Sequence, residues 1–213
     1  MNLKLLFVIS NEERKIINLA EKYELPFNTI MHGDGTASQG ILDFLGLKKT
    51  EKNILLSIIP DVMEEKIITY LKDKTKINEI GRGIAFTVPL SSASKYVLES
   101  FKNVKGERKM EKSNYHLLIT ITDEGNAEKI MNTAKKNGAN GGTLIKGRSI
   151  GSNNTFKLFN LTVEPEKDII LIVCKDNEKK KIMEGILNKN GMNTEYKSMC
   201  FSLPIDSTIG IDE

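Results

Sequence analysis

The sequence predicts an α+β protein built from two tandem β-α-β-β-α-β units. Three observations predict it. The chain repeats itself, in order, across both halves. Within each copy, short apolar runs of strand length alternate with segments that are apolar on one helical face. Finally, 213 residues accommodate two small domains, and 39% hydrophobic against 28% charged residues gives material for a core and excludes a disordered chain.

The repeat is read residue by residue. Lys15-Ile16-Ile17-Asn18-Leu19-Ala20-Glu21-Lys22 lies over Lys129-Ile130-Met131-Asn132-Thr133-Ala134-Lys135-Lys136. At the same offset Thr29 falls on Thr143 and Gly33 on Gly147. One position further along, Glu51-Lys52-Asn53-Ile54 falls on Glu166-Lys167-Asp168-Ile169, Lys66-Ile67 on Lys181-Ile182, and Phe86-Thr87-Val88-Pro89-Leu90 on Phe201-Ser202-Leu203-Pro204-Ile205. The expected domains are residues 1–92 and 115–213. Residues 93–114 have no counterpart and read as a short helix followed by a charged, solvated connector.

The elements of the first unit follow in order. Leu5-Leu6-Phe7-Val8-Ile9 suits a buried strand. Ser10 and Asn11 can cap a helix from Glu12, whose Ile16, Ile17, Leu19 and Ala20 share a face; Pro26 stops it. Residues 27–31 read as the second strand and His32-Gly33-Asp34-Gly35-Thr36 as a loop. Residues 53–59 form a strongly apolar third strand. Pro60-Asp61 starts a second helix, Gly81-Arg82-Gly83 breaks the chain, and residues 84–90 form the fourth strand.

The second unit gives the same order. Its strands are expected at residues 117–122, 143–146, 169–174 and 199–203. One helix ends at Asn137-Gly138, where glycine suits a left-handed cap, and another covers residues 178–187. Each unit therefore has the ferredoxin-like order, two helices on one face of a four-stranded antiparallel sheet. The third strand is apolar at nearly every position in both units, which predicts burial on both faces and hence an oligomer or a packed pseudo-dimer.

Both units stretch the connection between strands 2 and 3, over residues 33–52 and 147–167. A connection this long in a compact domain is usually functional. Part of the first, Ile41-Leu42-Asp43-Phe44-Leu45, has helical spacing.

These residues resemble the P-II nitrogen-regulatory family. Ile80-Gly81-Arg82-Gly83-Ile84-Ala85-Phe86-Thr87-Val88-Pro89 is similar to that family's glycine-bearing turn into its last strand. Asn140-Gly141-Gly142-Thr143-Leu144-Ile145-Lys146-Gly147-Arg148 is similar to its passage from the first helix into strand 2 and the long loop. The resemblance covers both units. It implies a trimeric signalling protein without catalysis; the two cysteines and the absence of a membrane-length apolar run lead separately to the expectation of a cytoplasmic chain. Small effectors, often adenine nucleotides, would sit in clefts between domains, and the long loop would dock on a partner such as a transporter or an enzyme. It places ligand contacts at the loop base and at the glycine-bearing turn: Thr29, Gly33, Gly35, Thr36, Gly81, Arg82, Gly83, Thr143, Gly147, Arg148 and Ser149. The chain departs from the family at Ile84, where nucleotide-binding members carry a lysine. It also lacks arginines near its C-terminus and a tyrosine in either long loop. The effector is thus open between an adenine nucleotide and another small anion.

Other classes fit less well. Net charge is +3, with charges interspersed rather than gathered on one face as in a nucleic-acid binder. RNA-recognition modules share this element order, but they stack bases on strand aromatics, and strand 3 has none here. Two cysteines make no disulfide framework. No apolar run approaches the roughly 20 residues that span a bilayer. The apolar start lacks a cleavage site and reads as a strand rather than a leader. His32 and His116 have no companions for a metal centre, and no nucleophile–base motif is present, so no cofactor and no catalysis are expected. An enzyme on a ferredoxin-like scaffold remains the alternative, because fold alone does not fix function.

Overall fold

In chain order, the computed structural model contains β1 (Leu3–Ser10), α1 (Glu13–Lys22), β2 (Asn28–Gly35), β3 (Thr50–Pro60), α2 (Glu64–Thr75), β4 (Gly83–Pro89) and α3 (Lys95–Ser100). There follow β5 (Tyr115–Asp123), α4 (Ala127–Lys136), β6 (Thr143–Arg148), β7 (Phe156–Leu158), β8 (Leu161–Val163), β9 (Glu166–Lys175), α5 (Asp176–Asn190), β10 (Met199–Pro204) and β11 (Ser207–Ile209). The structure describes residues 2–36, 50–79, 81–104, 113–148, 156–158, 161–163 and 166–211. The protein is α+β, and its chain divides into two units. Met1–His32, Glu51–Tyr115 and Pro204–Glu213 make the first; Gly33–Thr50 and His116–Leu203 make the second.

In the first unit the sheet order is β2-β3-β1-β4-β11. β1 is antiparallel to β3, with Ser10 opposite Asn53, and to β4, with Ser10 opposite Gly83. Period-two alternation sends Leu6, Val8, Leu55 and Ile59 toward the helices, where they pack with Ile16 and Leu19 of α1 and Ile67 and Leu71 of α2. Each of these fully buried aliphatic side chains contributes about 2 kcal/mol of transfer free energy. On the other face Phe7 stacks on Phe86, with centroids 4.8 Å apart. A short 3-10 turn, Asp61–Met63, precedes α2, so the helix proper starts three residues later than the sequence implied.

In the second unit the order is β10-β5-β9-β6, and Gly33–Gly35 of β2 pair with β6. Leu118, Ile170, Ile172 and Cys174 face Ile130, Ala134, Ile182 and Ile186 of the helices. Gly138, at φ +114, ends α4 as the Asn-Gly pair predicted. The element order and the lateral order of the four main strands are thus the same in both units.

Several expectations need correcting. His32-Gly33-Asp34-Gly35 is strand rather than loop, because Gly33, Asp34 and Gly35 find ladder partners in Ile145, Leu144 and Thr143. The second long connection is not structureless: β7 and β8 form a hairpin within it. The unit boundaries differ from the sequential division 1–92, 93–114 and 115–213, since Pro204–Glu213 group with the first unit and Gly33–Thr50 with the second. The reason in the first case is β11, which pairs with β4. The third strands are less covered than expected: Leu56, Ile58, Ile169 and Val173 are half-buried. The helical reading of residues 41–45, and Ser149, lie outside the described residues.

Candidate functional site

The Ser10 end of the first sheet gathers the starts of α1, β3 and β4. Ser10 Oγ donates to the Arg82 carbonyl at 3.1 Å and accepts from the Glu12 N–H at 3.2 Å. Gly83 lies so close to β1 that a Cβ there would stand 2.2 Å from the Ile9 carbonyl oxygen, and Gly81 takes φ +78. Both glycines of Gly81-Arg82-Gly83 therefore have a backbone reason. The Arg82 guanidinium is half exposed and is met by Glu12 at 3.8 Å and Glu79 at 3.5 Å.

Lys52 is the residue that sequence reasoning missed. It is only 9% exposed, and its ammonium donates to the Gly81 carbonyl at 3.2 Å. Among the described residues, no carboxylate forms an ion pair with it. Burial accordingly pushes its pKa below the ordinary lysine value. The next residue, Asn53, accepts at Oδ1 from His32 Nδ1 at 3.1 Å. A buried cation with a neutral partner, at the start of the strand that follows the long connection, has already met its own desolvation cost in the fold, so only the anion's remains when the two pair. The sequence signal was available: Lys52 recurs as Lys167 in the repeat, right after the stretched connection.

The second unit closes the corresponding place with its own charges. Lys146 donates to Asp168 at 2.7 Å and to Glu124 at 3.2 Å. The hydrogen bond to Asp168 is the main reason that the Lys146 pKa is raised; burial works against it and Glu124 adds to it. Asp168 is fully buried and also accepts the N–H groups of Gly125 (2.9 Å) and Ala127 (3.1 Å), capping the start of α4. Lys167 pairs with Asp123.

The remaining expected ligand residues scatter. Thr29 is exposed on β2 in the first unit. Gly33 and Gly35 lie in the β2–β6 ladder, where Thr143 is buried opposite Gly35. Thr36 is clamped: its N–H and Oγ1 both meet the Gly142 carbonyl at 2.9 Å, its Oγ1 accepts the Gly142 N–H at 3.0 Å, and Lys135 donates to its carbonyl at 2.7 Å. Gly147 and Arg148 stand opposite Lys167 and Glu166 on β9. Among the described residues, no group of three or more His, Cys, Asp or Glu side chains can hold a metal ion. The Cys174 thiol is pushed up to about 12, chiefly by burial, and is inert. No helix among them is long and apolar enough to cross a membrane.

No protein-family model matches the chain, and no curated protein matches it. Among solved structures, the chain is similar to a crystal structure of Arabidopsis thaliana PII bound to citrate, with 18% identity and a TM-score of 0.33, over 44% of this chain and 77% of that one. It is also similar to a mutant chlorite dismutase from Candidatus Nitrospira defluvii, with 8% identity and a TM-score of 0.25, over 94% of this chain and 91% of that one. TM-scores this low carry no argument about what the chain binds or does.

Proposed function

We propose that the chain is a P-II-like effector sensor that works by binding rather than catalysis. In this reading the two units are tandem copies of one ferredoxin-like module. A small anionic effector, an adenine nucleotide or a carboxylate, sits at the loop base of the first unit. The long connections carry the signal to a target protein such as a transporter or an enzyme, from the cytoplasm and in a homo-oligomer. The observation that carries the reading is Lys52, a buried ammonium bonded to a carbonyl beside the Gly81–Gly83 turn. The ion pairs within the second unit favour placing effector binding in the first.

The test is a thermal-shift titration of the full chain with citrate, 2-oxoglutarate, bicarbonate, AMP, ADP and ATP. At 100 times its Kd a ligand stabilises by about 2.7 kcal/mol, roughly 6 °C for a chain of this size. The expected result is that at least one anion raises Tm in the wild type and has no effect on Lys52→Met. An anion that stabilises both equally, or a panel without effect, overturns the reading. Turnover of any of these compounds would instead favour an enzyme.

A further inference from the structure

The strand that completes each unit meets a different fate. In the first unit the outer side of β4 is paired: Ser207 stands opposite Thr87, Thr208 opposite Phe86 and Ile209 opposite Ala85. In the second unit β10 is the outermost strand; Ser198, just before it, forms a parallel bridge with Gly191, and among the described residues no strand pairs with the outer edge of β10 itself. Its backbone groups there are a template for another strand. Natural edges are blunted with charges, prolines or bulges. β10 has only Pro204, at its end, and residues 198–205 carry no charged side chain. The strand also presents apolar side chains to solvent. Met199 is 50% exposed and Phe201 44%, both pointing away from the helix-facing core that Cys200 packs against.

We infer that β10 is the pairing edge for a second copy of this chain. Two β10 strands meet antiparallel across a twofold axis at Phe201. Phe201 then faces its own symmetry mate, Met199 faces Leu203, and Cys200 faces Ser202. Apolar side chains meet apolar ones on one face, and no like charges are brought together. This self-matching register is what selects a second copy as the occupant, since an isologous contact requires the same patch to complement itself. The inference gives a surface to the self-association in the proposed function but does not use Lys52, so its failure and that of the effector reading are distinguishable.

Sedimentation equilibrium of the full chain tests it, alongside Phe201→Lys and Phe201→Cys. The wild type is expected to contain an even number of chains. Phe201→Lys, which sets two ammonium groups face to face, should halve the mass while far-ultraviolet circular dichroism stays unchanged. Phe201→Cys should form an inter-chain disulfide on mild oxidation, absent from a wild-type control that keeps Cys174 and Cys200. A wild type that is a single chain throughout overturns the inference. So does a Phe201→Lys assembly of undiminished mass. If Phe201→Lys does not fold, the crosslink decides: its absence overturns the inference.

Discussion

The two units put a lysine at the same point of the repeat and surround it differently. Lys52 in the first bonds to a carbonyl and has its pKa lowered by burial. Lys167 in the second pairs with Asp123. The neighbouring pair differs in the same sense. His32 and Asn53 make a neutral contact where Lys146 and Asp168 make an ionic one. Three changes of residue type, Ile9 to Asp123, His32 to Lys146 and Asn53 to Asp168, therefore separate a place whose cation has no ion-pair partner among the described residues from one that is complete in itself. The first unit also holds a complete network, but next to β11. There Glu64 accepts Lys4 at 2.8 Å and the Thr87 and Ser207 hydroxyls at 2.6 Å each, and Lys4 also contacts Asp206. Complete networks should be structural, and the solitary cation functional.

If that division is right, the largest loss of stability comes from Lys4→Met. It leaves Glu64 and Asp206 buried without their cation and should cost about 3–5 kcal/mol, read from the urea midpoint. A cost near zero would show that the network is not structural. The same network sets an acid limit. Burial raises the Glu64 pKa, but hydrogen bonds from Lys4, Ser207 and Thr87, with the Lys4 charge, leave it below the ordinary carboxylate range. A carboxylate lowered in the folded state contributes stability that is present above its unfolded pKa and lost as pH falls through the folded one. Unfolding followed against pH should show that loss in the wild type and not in Glu64→Gln.

Asp168→Asn should cost about 1–3 kcal/mol, because it weakens the bonds to Gly125 and Ala127 and releases Lys146. Asn53→Ala, at the matching position, should cost clearly less. Equal costs would erase the distinction between the two places. Lys52→Met should change stability by no more than about 1 kcal/mol at neutral pH while abolishing the response to anions. Its pH dependence has the same sign as that of Glu64 but falls in a higher pH window. A lysine lowered in the folded state binds fewer protons than in the unfolded chain, so wild-type stability rises with pH between the two values, and Lys52→Met flattens that rise. Smallest of all, Arg82→Ala should cost no more than about 0.5 kcal/mol, as expected of half-exposed ion pairs.

Much of the architecture was legible because it rests on periodicity. The apolar third strands, the helical faces of Ile16 and Leu19 or Ile130 and Ala134, and the Asn137-Gly138 stop all follow from local rules. What escaped depends on distant partners. Two glycines made His32-Gly33-Asp34-Gly35 read as a loop, yet the β6 ladder holds it extended. Ser207-Thr208-Ile209 is too short and too polar to announce a strand, and its partner β4 lies more than a hundred residues away. The repeat marked the position of Lys52 through its match to Lys167, but its burial and its bond to the Gly81 carbonyl depend on a distant partner that the repeat does not reveal. Gly81-Arg82-Gly83 was expected to contact a ligand; in the structure Gly83 answers to close packing, Gly81 to a positive φ and the arginine to Glu12 and Glu79.

The position of β11 also sets a timetable for synthesis. Ile209 is buried in the first unit's core, and a Cβ on Gly210 would stand 2.3 Å from the Gly83 carbonyl oxygen, so this segment belongs to that unit's finished packing. A ribosome adding roughly 5–20 residues per second needs about 5–20 s to travel from the end of the first unit's other segments to this one. For that interval the earlier half waits with its β4 border bare, and it is completed only when the late-made segment doubles back to it.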